Sequence, residues 1–291
     1  MRIALCYSGQ IRNFKETFKN HINCLVEKNN ADVDIFGHFW GSEQKFPFME
    51  DFQFEDLIFE QPKDNFFLDQ VKANHTKFST LAGNTPWKRR TWPDWPERTL
   101  SMFYGIEKSI NLALNKQKEY DFIIRMRTDL HFFNHSINEL KNYDSSTLTI
   151  PSNFPVPLCA KHTFETVDLP RMDELFKPVE NKVQEFSPSP TEYQPHFKVM
   201  VKNGKTGMAW IAGEGIDDVF GFGNSKVMKI YAHTYSNFAS HENIASPEIL
   251  LSRQIINNNI KVYMNDWKIA LYKSEDIMNA LELYEQKAAA N

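Results

Sequence analysis

The chain has 291 residues, a formal net charge of -4 and a pI of about 6.2. This charge argues against the overall basic surface that nucleic-acid binding requires, and a hydrophobic content of 42% argues against a disordered chain. The length allows one large α/β domain or two smaller ones, each with a sizeable core.

Three cysteines, Cys6, Cys24 and Cys159, are widely spaced and form no C-x-x-C pair. This spacing argues against a disulfide framework and against a structural zinc site, so a reducing compartment is the simplest inference. The apolar run at the N-terminus is too short for a signal peptide, and no segment approaches the roughly 20 apolar residues of a membrane span. We therefore expect a cytoplasmic protein with at most peripheral membrane contact.

The first 60 residues alternate between strand and helix patterns. A short apolar run over residues 2–7 reaches a Ser8-Gly9 break, and residues 11–28 then carry apolar side chains at helical spacing. Residues 31–40 and 54–60 are predicted as two further strands. This alternation predicts an α/β domain with a largely parallel sheet flanked by helices.

Residues 72–97 show few signs of regular structure, and within them basic residues interleave with Trp87, Trp92 and Trp95. Single-stranded nucleic acid and anionic surfaces are bound by this kind of chemistry. The structural alternative is a loop whose tryptophans cover the core. Residues 98–117 are a predicted amphipathic helix that leads directly into the next strand.

That next segment, residues 121–133, begins as a buried strand and then carries Arg125, Arg127 and Asp129. Because side chains alternate along a strand, these three residues are expected on one face. Ligands bind at the carboxyl ends of strands in open α/β sheets, and two guanidinium groups beside a carboxylate suit a diphosphate, with or without its cation. The alternative is a structural ion pair that ends the strand.

The second half of the chain has weaker patterns. It is polar and irregular to about residue 152 and rich in proline through residue 195, which we interpret as an irregular, substrate-facing half. Asn224 or Ser225 is expected to cap a helix. Further elements are predicted as helices over residues 225–231, 247–256 and 280–290 and a strand over residues 260–263.

The order of five segments resembles the GT-A-like glycosyltransferases found in bacterial polysaccharide clusters and in large DNA viruses. The segments are Leu5–Arg12, Asp34–Trp40, Tyr120–Leu130, Asp217–Ser225 and Pro247–Leu251. The resemblance implies one Rossmann-like GT-A domain over residues 1–272. Its residues 1–135 would bind the nucleotide sugar, its residues 136–272 would bind the acceptor, and residues 273–291 would be a helical tail.

The resemblance implies a hexosyl- or pentosyltransferase that moves a sugar from a nucleoside-diphosphate sugar to a carbohydrate acceptor, in glycan or surface-polysaccharide synthesis. No nucleic acid is expected as a partner. The alternative from a different class is a noncatalytic module that binds glycan or nucleic acid through the aromatic and basic loop Trp87–Trp95.

By the same resemblance, Ser8, Gly9 and Arg12 line the nucleotide pocket. Asp129 falls where the metal-binding D-x-D motif of the superfamily sits, but Arg127 stands in place of the first Asp. One carboxylate and a bound diphosphate can still hold Mn or Mg.

Two further interpretations of the residues near Asp129 stay open. Arg125 or Arg127 could offset the charge of the leaving group without a metal. His131, two positions beyond Asp129, would be either an additional ligand or a loop histidine with a polar contact only.

Inverting transfer needs a group that takes a proton from the acceptor hydroxyl. Asp217 and Asp218 are the first candidates, because their turn enters an aromatic run that could bury one carboxylate and raise its pKa. Each could instead cap the turn or bind a sugar hydroxyl. Glu248 is a weaker candidate, since helix N-termini favour acids in any case. His241 and Glu242 lie in a nearby loop.

Overall fold

A computed structural model describes the backbone of residues 1–61, 66–73, 95–133, 140–151, 197–202, 205–210, 218–240, 247–265 and 269–272. Within these residues the strands are β1 (Arg2–Gly9), β2 (Asp32–Trp40), β3 (Asp56–Glu60), β4 (Phe122–Met126), β5 (Leu130–Phe132), β6 (Leu148–Pro151), β7 (Phe197–Lys202), β8 (Lys205–Trp210), β9 (Gly221–Gly223), β10 (Val262–Asn265) and β11 (Ile269–Leu271).

The described α-helices are α1 (Phe14–His21), α2 (Phe66–Ala73), α3 (Trp95–Leu114), α4 (Ser225–Ala232) and α5 (Pro247–Asn257). Helix α1 continues into a π-helical turn, Ile22–Val26, and a 3-10 turn, Glu27–Asn29, so the predicted helix over residues 11–28 is real but irregular at its end. None of the described helices combines the length and the apolar character that crossing a bilayer requires.

Seven strands form one mixed sheet in the order β10-β6-β9-β4-β1-β2-β3. Strands β3, β2, β1 and β4 are parallel neighbours, β10 is parallel to β6, and β9 runs antiparallel to both β4 and β6. The predicted α/β class with a largely parallel sheet and flanking helices is therefore confirmed. The carboxyl ends of the four parallel neighbours meet at one edge, where ligands bind in such sheets.

The core lies on both faces of this sheet. Residues 3–7 of β1 are almost completely buried, and they alternate between two hydrophobic clusters. Ala4 and Cys6 belong to the cluster that α3, α4 and α5 cover, whereas Leu5 and Tyr7 belong to the cluster on the side of α1. Burial on both faces explains why β1 is a continuous apolar run without polar alternation.

Two expectations for the middle of the chain were wrong, and one hairpin was not predicted. The stretch before residue 152 was expected to be irregular, but Leu148–Pro151 is β6 in the main sheet. The segment 121–133 is not one strand, because β4 ends at Met126, a turn contains Thr128 and Asp129, and β5 then pairs with β11. Residues 197–210 contain the hairpin of β7 and β8, which the sequence patterns did not indicate.

The later helices follow the prediction closely. The side chain of Asn224 accepts a hydrogen bond from the backbone N–H of Val227 and caps α4, as one of the two expected caps. The strand expected over residues 260–263 lies at Val262–Asn265. The predicted helix over 280–290, the tail 273–291, and Trp87 and Trp92 lie outside the described residues, and Trp95 is described by its backbone alone.

We predict that Gly223→Ala lowers the free energy of unfolding by about 1–3 kcal/mol, because its Cβ would stand 2.7 Å from Val227 Cγ1 and 2.9 Å from the carbonyl oxygen of Thr147. Urea unfolding of both proteins measures the change. Gly221→Ala in the same strand is the matched control, since its nearest contact is 3.3 Å and a smaller loss is expected. Equal losses for the two variants would contradict the steric argument.

Candidate functional site

Two loops are joined at the carboxyl edge of β1 and β4. The Thr128 hydroxyl donates to the carbonyl of Gln10 at 2.8 Å, and the Thr17 hydroxyl donates to the carbonyl of Thr128 at 2.6 Å. On the other side the backbone N–H of Tyr272 donates to the carbonyl of Asp129 at 2.6 Å. The turn after β4 is thus held both by the loop after β1 and by the end of β11.

Asp129 lies at the centre of an ion cluster with Arg12 and Arg127. Arg127 binds it through two hydrogen bonds, Nε to Oδ1 at 2.8 Å and Nη2 to Oδ2 at 2.9 Å, and Arg12 Nη1 donates to Oδ2 at 2.9 Å. Burial would raise the pKa of this carboxyl, but the two guanidinium groups outweigh it and lower the pKa to about 2. Asp129 is therefore ionised at neutral pH.

The three side chains of this cluster differ in how much of each is exposed to solvent. The Asp129 side chain is 5% exposed and that of Arg127 23%, whereas that of Arg12 is 50% exposed. The carboxylate is enclosed, whereas the Arg12 side chain is half exposed and has N–H donors beyond the one that binds Asp129. The cluster is thus the ion pair considered as a structural alternative, yet it presents positive charge at the ligand edge.

The guanidinium groups around Asp129 suit a bound anion better than a bound cation. Both of its oxygens accept hydrogen bonds from guanidinium groups. Among the described residues, no group of three or more His, Cys, Asp or Glu side chains could hold a metal ion. His131 lies in β5, not in a loop, with its ring edge-on to Phe133. The assignment of Asp129 to a metal stays a prediction.

Ser8 and Gly9 end β1, and the Ser8 side chain faces α3 beside His38, since a Cβ at Gly105 would lie 3.6 Å from Ser8 Cβ and 3.3 Å from His38 Nδ1. Gly9 has a φ of 109°, a conformation that residues with a side chain disfavour. The Ser8 hydroxyl is buried and has no hydrogen-bond partner among the described residues. An unsatisfied buried hydroxyl costs about 1–3 kcal/mol. The place of Ser8 and Gly9 in a nucleotide pocket stays a prediction.

Arg125 is buried on β4 and supports the turn that carries Asp218. It is 1% exposed, its Nη1 donates to the carbonyl of Val219 at 3.1 Å, and its Nε has no partner within the described part of the chain. The hydroxyl of Tyr231 donates to the carbonyl of Asp218 at 3.4 Å. Two side chains thus hold the backbone of this turn from the sheet and from α4.

Asp218 has the electrostatic setting that the sequence predicted for one of the two acids. Burial raises its pKa, and the positive charges of Arg125 and Arg127 oppose this shift without cancelling it. Asp217 lies outside the described residues, as do His241 and Glu242. Glu248 lies in the first turn of α5, where only its backbone is described. The roles of all these residues stay predictions.

A second polar group at the same edge was missed. His38 on β2, Glu60 at the end of β3 and Tyr104 on α3 are joined by hydrogen bonds, with His38 Nε2 3.0 Å from a Glu60 oxygen. The signal was present in the sequence, because His38 and Glu60 are polar residues near the ends of two predicted strands. Only the parallel pairing of β2 and β3 shows that they share a face.

Comparison with known proteins gives remote structural similarity only. No family model and no curated protein matches the chain. Apo mouse xyloside xylosyltransferase 1 is 12% identical, with 91% of this chain and 84% of that chain covered and a TM-score of 0.35. Core-mannan synthase A from Aspergillus fumigatus, in a Mn/GDP form, is 10% identical, with 92% and 73% covered and a TM-score of 0.42. Similarity at this level transfers no activity, so function must be argued from the site itself.

We predict a pH dependence of stability that Asp129 causes. Its folded pKa of about 2 lies below the ordinary 3.8, so its contribution is present above pH 4 and is lost as the pH falls through 2. Between pH 6 and pH 2 the wild-type protein should lose roughly 2–3 kcal/mol more unfolding free energy than Asp129→Asn. Urea unfolding across this range measures the difference, and parallel curves for the two proteins would contradict the assignment.

Proposed function

We propose that the protein is a glycosyltransferase of the GT-A-like type that moves a sugar from a nucleoside-diphosphate sugar to a carbohydrate acceptor. The observation that supports this most is the cluster of Arg12, Arg127 and Asp129 at the carboxyl edge of the sheet, close to the buried acid Asp218. A cationic corner suits a departing diphosphate, and a buried carboxylate suits proton transfer. Together they supply the two functions that sugar transfer requires.

The diphosphate is assigned to the arginines. Among the described residues of this corner, the three guanidinium groups of Arg12, Arg125 and Arg127 outnumber the two carboxylates of Asp129 and Asp218. Guanidinium groups bind phosphate oxygens in bidentate fashion, and Asp129 already holds two of these groups in place. Positive charge that is oriented before the reaction stabilises a developing leaving group without further rearrangement.

The transfer step follows from this placement. Asp218 accepts the proton of the acceptor hydroxyl while the oxygen of that hydroxyl attacks the anomeric carbon. The bond between the anomeric carbon and the diphosphate oxygen breaks, and the electron pair leaves with the nucleoside diphosphate beside Arg12 and Arg127. Asp217 and Glu248 are the alternative bases for the same step.

The described residues do not by themselves form a site for a cation. Both oxygens of Asp129 are used by guanidinium groups, so no part of the step above relies on Mn or Mg. A divalent cation stays a prediction from the family resemblance, with the diphosphate oxygens as its main ligands. We further propose donor binding by residues 1–135, acceptor binding by residues 136–272, and a cytoplasmic role in polysaccharide synthesis.

We predict that a nucleoside diphosphate stabilises the wild-type protein and that Arg12→Gln weakens this binding about 10- to 100-fold, since a hydrogen bond to a charged group contributes about 1.5–3 kcal/mol. Isothermal titration with UDP, GDP and CDP, in EDTA and in Mn, measures both affinities. Lys118→Gln is the control, because Lys118 pairs with Asp34 near the amino end of β2. If the wild-type protein binds none of these nucleotides in either buffer, the proposed function is wrong.

We predict that Asp218→Asn abolishes release of nucleoside diphosphate from the donor in the presence of acceptor. In Arg127→Gln the acid limb of the pH profile of kcat/KM should move to higher pH, because Arg127 lowers the pKa of Asp218. The midpoint of that limb is the measured quantity, so a general loss of rate does not obscure it. Asp56→Asn, near the amino end of β3, should leave the midpoint in place. A midpoint that is unchanged in Arg127→Gln would contradict the role of Asp218.

A further inference from the structure

A carboxylate and several aromatic rings form a second candidate site at the carboxyl ends of β2 and β3. Trp40 and Glu60 are register partners, so their side chains share a face, and α3 places Tyr104 against both. The Tyr104 hydroxyl is 2.9 and 3.0 Å from the two oxygens of Glu60, and His38 Nε2 is 3.0 Å from one of them. The Glu60 side chain is nevertheless 36% exposed.

Glu60 keeps its negative charge in this setting. Burial would raise its pKa, but the hydrogen bonds from His38 and Tyr104 outweigh that effect and hold the pKa below its ordinary value. Burial lowers the pKa of His38 despite the carboxylate, so the imidazole is neutral at pH 7 and donates from Nε2. Two neutral donors therefore orient the carboxylate, and its remaining lone pairs stay available for ligand hydroxyls.

Aromatic rings form a wall beside the carboxylate. Trp40 and Tyr104 are stacked with ring centroids 5.6 Å apart at 20°, and His38 meets Trp40 edge-on at 5.0 Å. Phe66 extends this wall towards solvent and is 38% exposed. An apolar ring face next to an oriented carboxylate matches a sugar, whose C–H face packs on aromatic rings while its hydroxyls donate to the acid.

Charges of both signs lie near the wall and disfavour a charged ligand. The carboxylate of Glu60 repels phosphate and other anions. Lys108 Nζ already stands 5.1 Å from the centre of the Tyr104 ring, which disfavours a cationic ligand on that ring. A neutral ligand with adjacent hydroxyl groups satisfies both constraints.

We infer that Glu60, Tyr104 and Trp40 bind a sugar ring through two of its adjacent hydroxyl groups. Strands lie about 4.8 Å apart, so Glu60 on β3 stands about 10 Å from β1 along the ligand edge. If the proposed function is right, that separation suits either the ribose of the donor nucleotide or the acceptor sugar next to the transferred one. Both sources present the same diol to the carboxylate.

The test uses the full chain and Glu60→Gln, which keeps the shape but removes the charge. The first arm measures binding of UDP, GDP and CDP and of their 2′-deoxy counterparts by isothermal titration. The second arm measures binding of methyl glycosides of glucose, galactose and mannose by ligand-observed NMR with a saturating nucleoside diphosphate. Glu60→Gln should weaken the binding of one of these two ligand classes, nucleotides or glycosides, roughly 10- to 100-fold.

The pattern of losses identifies the source of the ring. Weaker binding of ribonucleotides, with 2′-deoxynucleotides unchanged, assigns the site to ribose, whereas weaker binding of glycosides alone assigns it to the acceptor. If the wild-type protein binds glycosides but none of the nucleotides of the first arm, the proposed function is overturned and this site stays supported. Equal affinities of Glu60→Gln and wild type in both arms, or no binding to wild type in either, would overturn the inference.

Two further variants separate binding from folding. Tyr104→Phe keeps the ring and removes the hydrogen bond to Glu60, so a smaller loss in the same arm is expected, with an unchanged melting temperature. Glu55→Gln removes an acid at the opposite end of β3, where it pairs with Lys116 and Lys118, and should bind like wild type. A loss of equal size in Glu55→Gln would count against a specific role for Glu60.

Discussion

The ion cluster on Asp129 is the interaction on which the candidate site depends. A buried carboxylate is stable only if positive partners offset its desolvation, and here Arg127 and Arg12 do so from two loops. The same two loops, after β1 and after β4, are also joined by the hydrogen bond from the Thr128 hydroxyl to the Gln10 carbonyl. The same cluster therefore joins the two loops at the edge of the sheet and fixes the orientation of two guanidinium groups there.

The neighbouring turn, which carries Asp218, also contains buried charged groups. Arg125 lies within the core and binds the carbonyl of Val219, so it supports Asp218 through the backbone while its charge opposes the effect of burial on that carboxyl. Desolvation dominates the pKa of Asp218, whereas guanidinium contacts dominate that of Asp129. Two acids near one edge thus have pKa values shifted in opposite directions.

Particular segments show how far sequence reasoning reached. The apolar run of β1, the amphipathic pattern of α3 and the Asn224 cap were readable because each depends on residues close in sequence. The strand β6 was not, because four residues carry no clear period and pair with β9 and β10 from distant parts of the chain. Likewise, the turn at Thr128 and Asp129 is stabilised by Gln10 and Tyr272, whose proximity no local pattern reveals.

The sequence by itself determined the α/β class and singled out the charged residues after β4, because hydrophobic period and unusual charge are local properties. Tertiary structure decided what those charges do. It brought Arg12 across 117 positions to Asp129, and it placed Glu60 of β3 against His38 and Tyr104. Such contacts depend on strand order and helix packing, which set distances between side chains that the linear sequence leaves undefined.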